Sequence, residues 1–304
     1  MNLIFDQVFI LFIPIVIGYF AVKVKIVDDS FAKNLSAFLF NITLPCTIIS
    51  AMQFDFEPKM LIVSGVIIII GAVVTFFFWI FGFYLSKTLK ASGYEKKIIQ
   101  YAVAFGNFSF MGYPVAKVFL GDEGLFYATI FSIPVYVLLQ SIGMATLLPK
   151  KEGDKNFKLD YVLNPPLIGI YIGFLLFAFQ IKLPFFINET INSLGKVTIP
   201  LAMALVGLAL SKAPLLGSFT NFRAYIITAF RLIIMPLLVY FILRLFNFDE
   251  ITTKLPVIIS MMPIASNIII VTTNYDGDTV TAAQYVLLST LFSLITIPLM
   301  GYIL

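Results

Sequence analysis

The chain has 304 residues, of which 60% are hydrophobic and only 12% are charged, with a formal net charge of +4 and no histidine. The mean hydropathy is +1.01. A water-soluble domain of this length cannot bury so much apolar surface. The composition therefore predicts an all-α polytopic membrane protein that contacts lipid. No basic tract is long enough to indicate a nucleic-acid partner.

Apolar windows of the length needed to cross a bilayer as a helix recur along the whole chain. We expect ten transmembrane helices, at residues 3–22, 35–53, 60–85, 97–118, 124–148, 162–181, 190–211, 222–246, 254–274 and 280–303.

Lysine and arginine are distributed unequally between the two sides of this predicted topology. The connections after the first, third, fifth, seventh and ninth helices carry thirteen of these residues, and the opposite side carries five. Because cytoplasmic loops are enriched in Lys and Arg, both termini are predicted to be extracytoplasmic in a multi-pass cell membrane protein. The polar connection at 149–160 is then a cytoplasmic linker between two five-helix units, 1–148 and 161–304.

The two units share short sequence matches in the same order, which indicates an internal repeat. Since each unit has an odd number of predicted helices, the second enters the membrane from the opposite side, and an inverted 5+5 repeat follows. The matches pair Ile17-Gly18 with Ile172-Gly173, Asn41–Pro45 with Lys196–Pro200, Asn107 with Asn267, and 131–134 with 295–298.

Two predicted helices contain residues that interrupt a helix at membrane depth. The fourth contains AFGNFSFMGYP, with Gly106, Gly112 and Pro114, and the ninth contains MPIASN, with Pro263. Non-helical backbone at this depth survives only where protein covers it or where it lines a polar cavity. Paired interruptions in corresponding helices indicate a transporter binding site, so these four residues are predicted crossover or hinge positions.

Asn107 and Asn267 lie within these two interruptions. One interpretation is that both amides only tie broken helix ends to neighbouring helices. The other is that the breaks cross and that the half-helix N-termini and the amides face a shared cavity and bind a ligand. The two roles are compatible.

Prolines interrupt the second and seventh predicted helices as well, at Pro45 and Pro200, which are two further predicted hinge positions. Each frees a backbone carbonyl four residues earlier, at Asn41 and Lys196. These segments either pack as simple kinks or line the cavity with Asn41 as a further binding residue.

All sixteen carboxylates fall in predicted loops or at helix ends, whereas Lys196 and Arg231 lie within predicted helices. Proton pumps and cation antiporters usually place acidic residues or histidine along their pathway. Lys196 and Arg231 either snorkel to lipid headgroups or face the cavity and attract an anion. The absence of buried acid favours a substrate that carries a carboxylate.

The sequence carries no enzyme signature. Without histidine, the usual catalytic triads and the zinc protease motif are excluded, and no cofactor or metal site is expected. A phosphate-binding loop is also missing, which favours a secondary carrier or uniporter.

The AFGNFSFMGYPV stretch, the T-x-P kinks of the second and seventh helices and the PIASN segment of the ninth resemble the auxin efflux carrier family. This family includes plant PIN proteins and bacterial carriers of malonate or malate, and the short central loop is similar to that of bacterial members. The resemblance implies broken, crossing helices 4 and 9, a scaffold of helices 1, 2, 6 and 7, a mobile transport unit of helices 3–5 and 8–10, and a homodimer built on the scaffold.

The resulting hypothesis is a carrier for a small organic anion, such as malate, malonate or an auxin-like acid, that works by alternating access. Asn107 and Asn267 are predicted to hold the carboxylate, with Lys196 or Arg231 attracting it. Two alternatives remain: a sodium-coupled symporter or antiporter that holds the ion with carbonyls and asparagines, and an anion channel.

Overall fold

A computed structural model describes residues 2–148, 162–211, 215–275, 277–301 and 303–304. The predicted linker at 149–160 lies outside these residues. Within them the chain is helical and forms no β-strand, apart from one isolated backbone bridge between Gly106 and Ile264.

The helices follow one another through short turns. In chain order they are α1 (Asn2–Lys23), α2 (Asp29–Phe38), α3 (Leu44–Ala51), α4 (Pro58–Thr88), α5 (Gly93–Ala104), α6 (Tyr113–Leu138), α7 (Met144–Leu147), α8 (Pro165–Ala178), α9 (Phe185–Leu210), α10 (Leu215–Thr220), α11 (Phe222–Ala229), α12 (Met235–Arg244), α13 (Glu250–Ser260), α14 (Asn267–Asn274) and α15 (Thr279–Met300).

Six helical segments of the described chain are long and apolar enough to cross a membrane: Ser30–Ala51, Pro58–Thr88, Phe108–Leu147, Phe185–Leu210, Phe222–Arg244 and Thr279–Met300. A multi-pass membrane protein is thereby confirmed. Phe108–Leu147 has 40 residues and is interrupted at Gly121, whose φ of 68° is non-helical, so it contains parts of two predicted helices. The remaining windows correspond to shorter or broken helices, and the count of ten stays a prediction.

Three prolines follow widened turns of π-helix. The π turns Leu39–Thr43, Phe108–Gly112 and Phe230–Ile234 end two residues before Pro45, Pro114 and Pro236 respectively. A proline lacks its N–H and clashes with the carbonyl four residues earlier, and that carbonyl lies inside the widened turn in all three cases. The π turns therefore carry these spans past their prolines.

Glycines allow two pairs of helices to pack with their backbones close together. A Cβ on Gly18 of α1 would clash with the backbone carbonyl of Ala204 in α9, and a Cβ on Gly173 of α8 would lie 3.3 Å from the Cα of Ile49 in α3. Gly18 and Gly173 are equivalent positions of the predicted repeat. The first helix of each unit thus packs against the second helix of the other.

The hydroxyl of Thr47 joins the two proline-kinked segments. It is placed for hydrogen bonds to the carbonyl of Gly195, at 3.0 Å, and to the hydroxyl of Thr198, at 2.8 Å. Thr47 and Thr198 are both buried. The structure therefore brings the Pro45 and Pro200 segments together as a packed polar contact between α3 and α9.

The two interrupted helices cross as an antiparallel pair of short extended segments. The Asn107 amide donates to the carbonyl of Pro263 at 2.7 Å, and the Ala265 amide donates to the carbonyl of Phe105 at 3.2 Å. The non-helical crossing therefore contains fewer residues than the interruptions predicted from the sequence. Pro263 lies within it, whereas Pro114 lies in the first turn of α6.

Arg231 holds the crossing together from its buried side. Its Nε donates to the carbonyl of Met262 at 3.0 Å, and its Nη1 donates to the carbonyl of Val103 at 2.9 Å. The guanidinium carbon also lies 5.7 Å from the ring centroid of Phe78, in the range of a cation–π contact. These carbonyls belong to the C-terminal ends of α5 and α13, where the helix dipoles are negative.

We expect Arg231→Met to destabilise the protein, because it leaves the carbonyls of Val103 and Met262 buried without donors. Each hydrogen bond to a charged group contributes about 1.5–3 kcal/mol. Gly106→Ala should act in the same way, since the new Cβ would overlap the Arg231 guanidinium. The measurement is thermal unfolding of the detergent-purified protein.

Arg244→Met is the matched control, because Arg244 is an exposed arginine that bonds only the Tyr240 hydroxyl within the described chain. Equal unfolding temperatures for the Arg231 and Arg244 variants would contradict the role given to Arg231.

Candidate functional site

Asn107 and Asn267 line one cavity of about 230 Å³, named here the asparagine cavity. Its wall is completed by two residues of the Ser30–Ala51 segment, four residues of the Phe108–Leu147 segment, and the segments that follow the crossing. The first two groups are Ser36 and Phe40, and Tyr136, Leu139, Gln140 and Met144. None of the described residues that line it is charged. The cavity is smaller than the roughly 300–1,000 Å³ of sites for drug-sized ligands, so it suits a small molecule.

The Asn107 side chain is buried in this cavity without a protein partner. Its exposed fraction is 6%, and its amide makes no side-chain hydrogen bond with any residue the structure describes. Its amide atoms are not among the fully enclosed polar atoms that lack a partner, so they remain accessible from the cavity. A ligand in the cavity can therefore bond the amide.

Asn267 is half-buried and has one partner in the described chain. Its Oδ1 accepts a hydrogen bond of 3.2 Å from the hydroxyl of Tyr101. With the oxygen engaged, the amide NH₂ group remains as a donor toward the cavity. Nothing in the sequence marks Tyr101 as part of the site, because it lies inside the helical segment before the break and its direction depends on the crossing.

Two half-helices begin at these asparagines. Asn107 precedes the π turn Phe108–Gly112 that leads into α6, and Asn267 is the first residue of α14. The N-terminal ends of helices carry partial positive charge and free N–H groups. The cavity therefore combines two positive helix ends with two amide side chains, an arrangement suited to an anion.

The other residues predicted for the site lie elsewhere. Arg231 lies behind Gly106, bonded to the two carbonyls described above, and Lys196 lines a different cavity on α9. Asn41 is exposed and its amide donates to the carbonyl of Ala37 at 2.7 Å, on its own helix. Among the predicted hinge residues, Gly106 lines the asparagine cavity, and Gly112 packs against the side chain of Ile259.

The chain matches the model of a family described as membrane transport protein over residues 3–301. It is 29% identical over 304 residues to a protein of Methanocaldococcus jannaschii named as an uncharacterized transporter, with 98% of each chain covered. A second uncharacterized transporter, from Methanothermobacter thermautotrophicus, is 28% identical over 205 residues, which is 67% of this chain and 66% of that one.

These names describe transporters and not enzymes, in agreement with the sequence. The family model spans nearly the whole chain, including both interrupted helices, and it confirms the resemblance seen in the sequence motifs. The chain is a membrane transporter and belongs to the membrane transport protein family, the auxin efflux carrier family of PIN-like proteins.

Proposed function

We propose that this protein is a secondary carrier that moves a small organic anion, with Asn107 and Asn267 binding its carboxylate. The observation that carries the proposal is the Asn107 amide, which lines the asparagine cavity without a hydrogen-bond partner in the described chain, beside two half-helix N-termini. Malonate, malate and auxin-like acids are the candidate substrates. Amides and helix ends both donate hydrogen bonds, which a carboxylate accepts.

The carrier works by alternating access in an inverted 5+5 repeat of ten transmembrane helices. The reciprocal packing of α1 on α9 and of α8 on α3, at the equivalent glycines Gly18 and Gly173, supports this symmetry. Helices 1, 2, 6 and 7 form a scaffold on which a homodimer assembles, and helices 3–5 and 8–10 move against it. Both termini are extracytoplasmic in the cell membrane, and the 149–160 linker is cytoplasmic.

A sodium-coupled mechanism is the main alternative. In this mechanism, backbone carbonyls at the helix break hold the ion together with Asn41, Asn107 and Asn267. The carbonyls of Val103 and Met262, at the C-terminal ends of the broken helices, already accept from the fixed cation of Arg231. This contact favours a carrier that does not depend on sodium.

Asn107→Ala and Asn267→Ala should each lower transport strongly while leaving folded protein. Loss of a hydrogen bond to a charged ligand weakens binding by about 10- to 100-fold. The measurement is uptake of labelled malonate, malate and indole-3-acetate into proteoliposomes. Asn34→Ala, an exposed asparagine on α2, is the matched control. Wild-type rates in both cavity variants for every transported acid would refute the assignment.

Transport should not require sodium. Replacing sodium chloride by choline chloride at constant osmolarity, on both sides of the vesicle membrane, is expected to leave the initial rate within about twofold, because Arg231 provides the cation at the helix ends. A rate that rises and saturates with sodium concentration would instead support the coupled mechanism.

A further inference from the structure

A second polar cavity, of about 480 Å³, lies between α3, α9 and the region around Gly121. Lys196, Lys117 and Asp122 contribute its charged side chains, and Ser50, Gln53 and Asn192 contribute polar ones. It is named here the lysine cavity. We infer that the lysine cavity is a second anion-binding site, where the carboxylate substrate is held on the side of the membrane opposite to the asparagine cavity.

The two cavities lie at different depths along one helical span. Ser36 of the second span lines the asparagine cavity, and Ser50 of the same span lines the lysine cavity. Fourteen residues of helix separate them, which corresponds to about 20 Å along the axis. The two cavities thus lie toward opposite ends of one membrane span. By the charge distribution of the loops, the lysine cavity is on the extracytoplasmic side.

The boundary between the cavities is the polar contact at Thr47. Thr47 and Gly195 both line the lysine cavity, and the buried Thr47 hydroxyl bonds the carbonyl of Gly195. The lysine cavity therefore ends where the two proline-kinked segments pack together. An anion in it lies on the outer side of this contact.

The charged side chains of the lysine cavity favour an anion. Lys117 forms an ion pair with Asp122 at 2.7 Å, and both side chains are largely exposed. Lys196 has no ion-pair partner within the described part of the chain. The cavity lining is therefore net positive. Lys196 is exposed, so solvent and salt screen its charge beyond about a Debye length, and the attraction acts on an anion held within the cavity.

Hydrogen bonding adds specificity to this charge. The hydroxyl of Ser50 donates to Oδ1 of Asn192, one helical turn before Lys196. Because the Asn192 oxygen is engaged, its NH₂ group is left as a donor, and Asn192 and Lys196, four residues apart on α9, share one face of the helix and line the same cavity. An ammonium and an amide donor together match the two oxygens of a carboxylate.

The chemistry that this site recognises is a compact anion, whether the substrate carboxylate or the phosphate of a lipid headgroup. The choice of the carboxylate rests on the proposed function. The test must therefore separate the two sources and must also give a result if transport itself proves different from the proposal.

The experiment uses thiol labelling in the full-length protein. Cys46 is the only cysteine of the chain, so Cys46→Ser gives a thiol-free background. Gln53→Cys then places one exposed thiol in the wall of the lysine cavity. This thiol is reacted with two methanethiosulfonate reagents, one that carries an anionic sulfonate and one that carries a cationic trimethylammonium group. The two reaction rates report the local electrostatic potential. The protein is reconstituted in phosphatidylcholine vesicles, with and without phosphatidylglycerol.

We expect Lys196→Met to lower the ratio of sulfonate to trimethylammonium rates by roughly tenfold, because a nearby charge acts on the two reagents in opposite directions. Lys196→Arg should keep the ratio. Lys254→Met is the control, since Lys254 is predicted to lie on the same side of the membrane but pairs with Glu250 outside the cavity. Malonate should slow labelling of Gln53→Cys in both lipids, and Lys196→Met should abolish this protection.

An unchanged ratio in the Lys196→Met variant would overturn the inference, and so would absent malonate protection. Malonate protection of the thiol seen only in vesicles without phosphatidylglycerol would assign the site to lipid headgroups. This result would also overturn the inference. Asn107→Ala in the same background should retain both the ratio and the protection. Failure of the asparagine site would therefore appear in transport assays and leave the labelling result intact.

Discussion

The hydrogen bonds from Arg231 to the carbonyls of Val103 and Met262 are the interaction on which the rest of the structure depends. Two helices end in the middle of a membrane span, where lipid offers no donor to their last carbonyls. At the crossing, the negative C-terminal ends of the broken helices are separated from the positive N-terminal ends. One arginine satisfies the negative C-terminal ends, and the positive N-terminal ends at Asn107 and Asn267 are left to face the asparagine cavity.

The sequence alone predicted the all-helical membrane fold, both interruptions and the two asparagines within them, because Gly, Pro and Asn within apolar windows mark breaks in a helix. It did not assign directions to the long cationic side chains. Arg231 turns toward the crossing and Lys196 toward another cavity, and each direction depends on which helices meet in the fold. The hydrogen bond between Tyr101 and Asn267 could not be predicted from the sequence either, since only the folded crossing brings those residues together.

The inverted repeat proposed for the fold does not extend to its charges. Lys196 and Asn41 are equivalent positions, each four residues before the proline of a matching kinked segment, but only one of them is cationic. Both are exposed. Equivalent backbone positions on the two sides therefore present different electrostatic surfaces to an anion. In the proposed carrier, this unequal charge predicts different affinities on the two membrane sides, and the proposed anion site at Lys196 has no counterpart at Asn41.

The use of amides and helix ends at the asparagine cavity also suits the physical task of a carrier. A buried guanidinium in direct contact with a carboxylate forms a strong pair at low dielectric, and release would require that pair to be broken. Slow release limits many transport and catalytic cycles. Arg231 instead directs its charge to backbone carbonyls, so its field reaches the cavity without a direct ion pair. Under the proposed function, the substrate is bound by neutral donors that water can replace as the site opens.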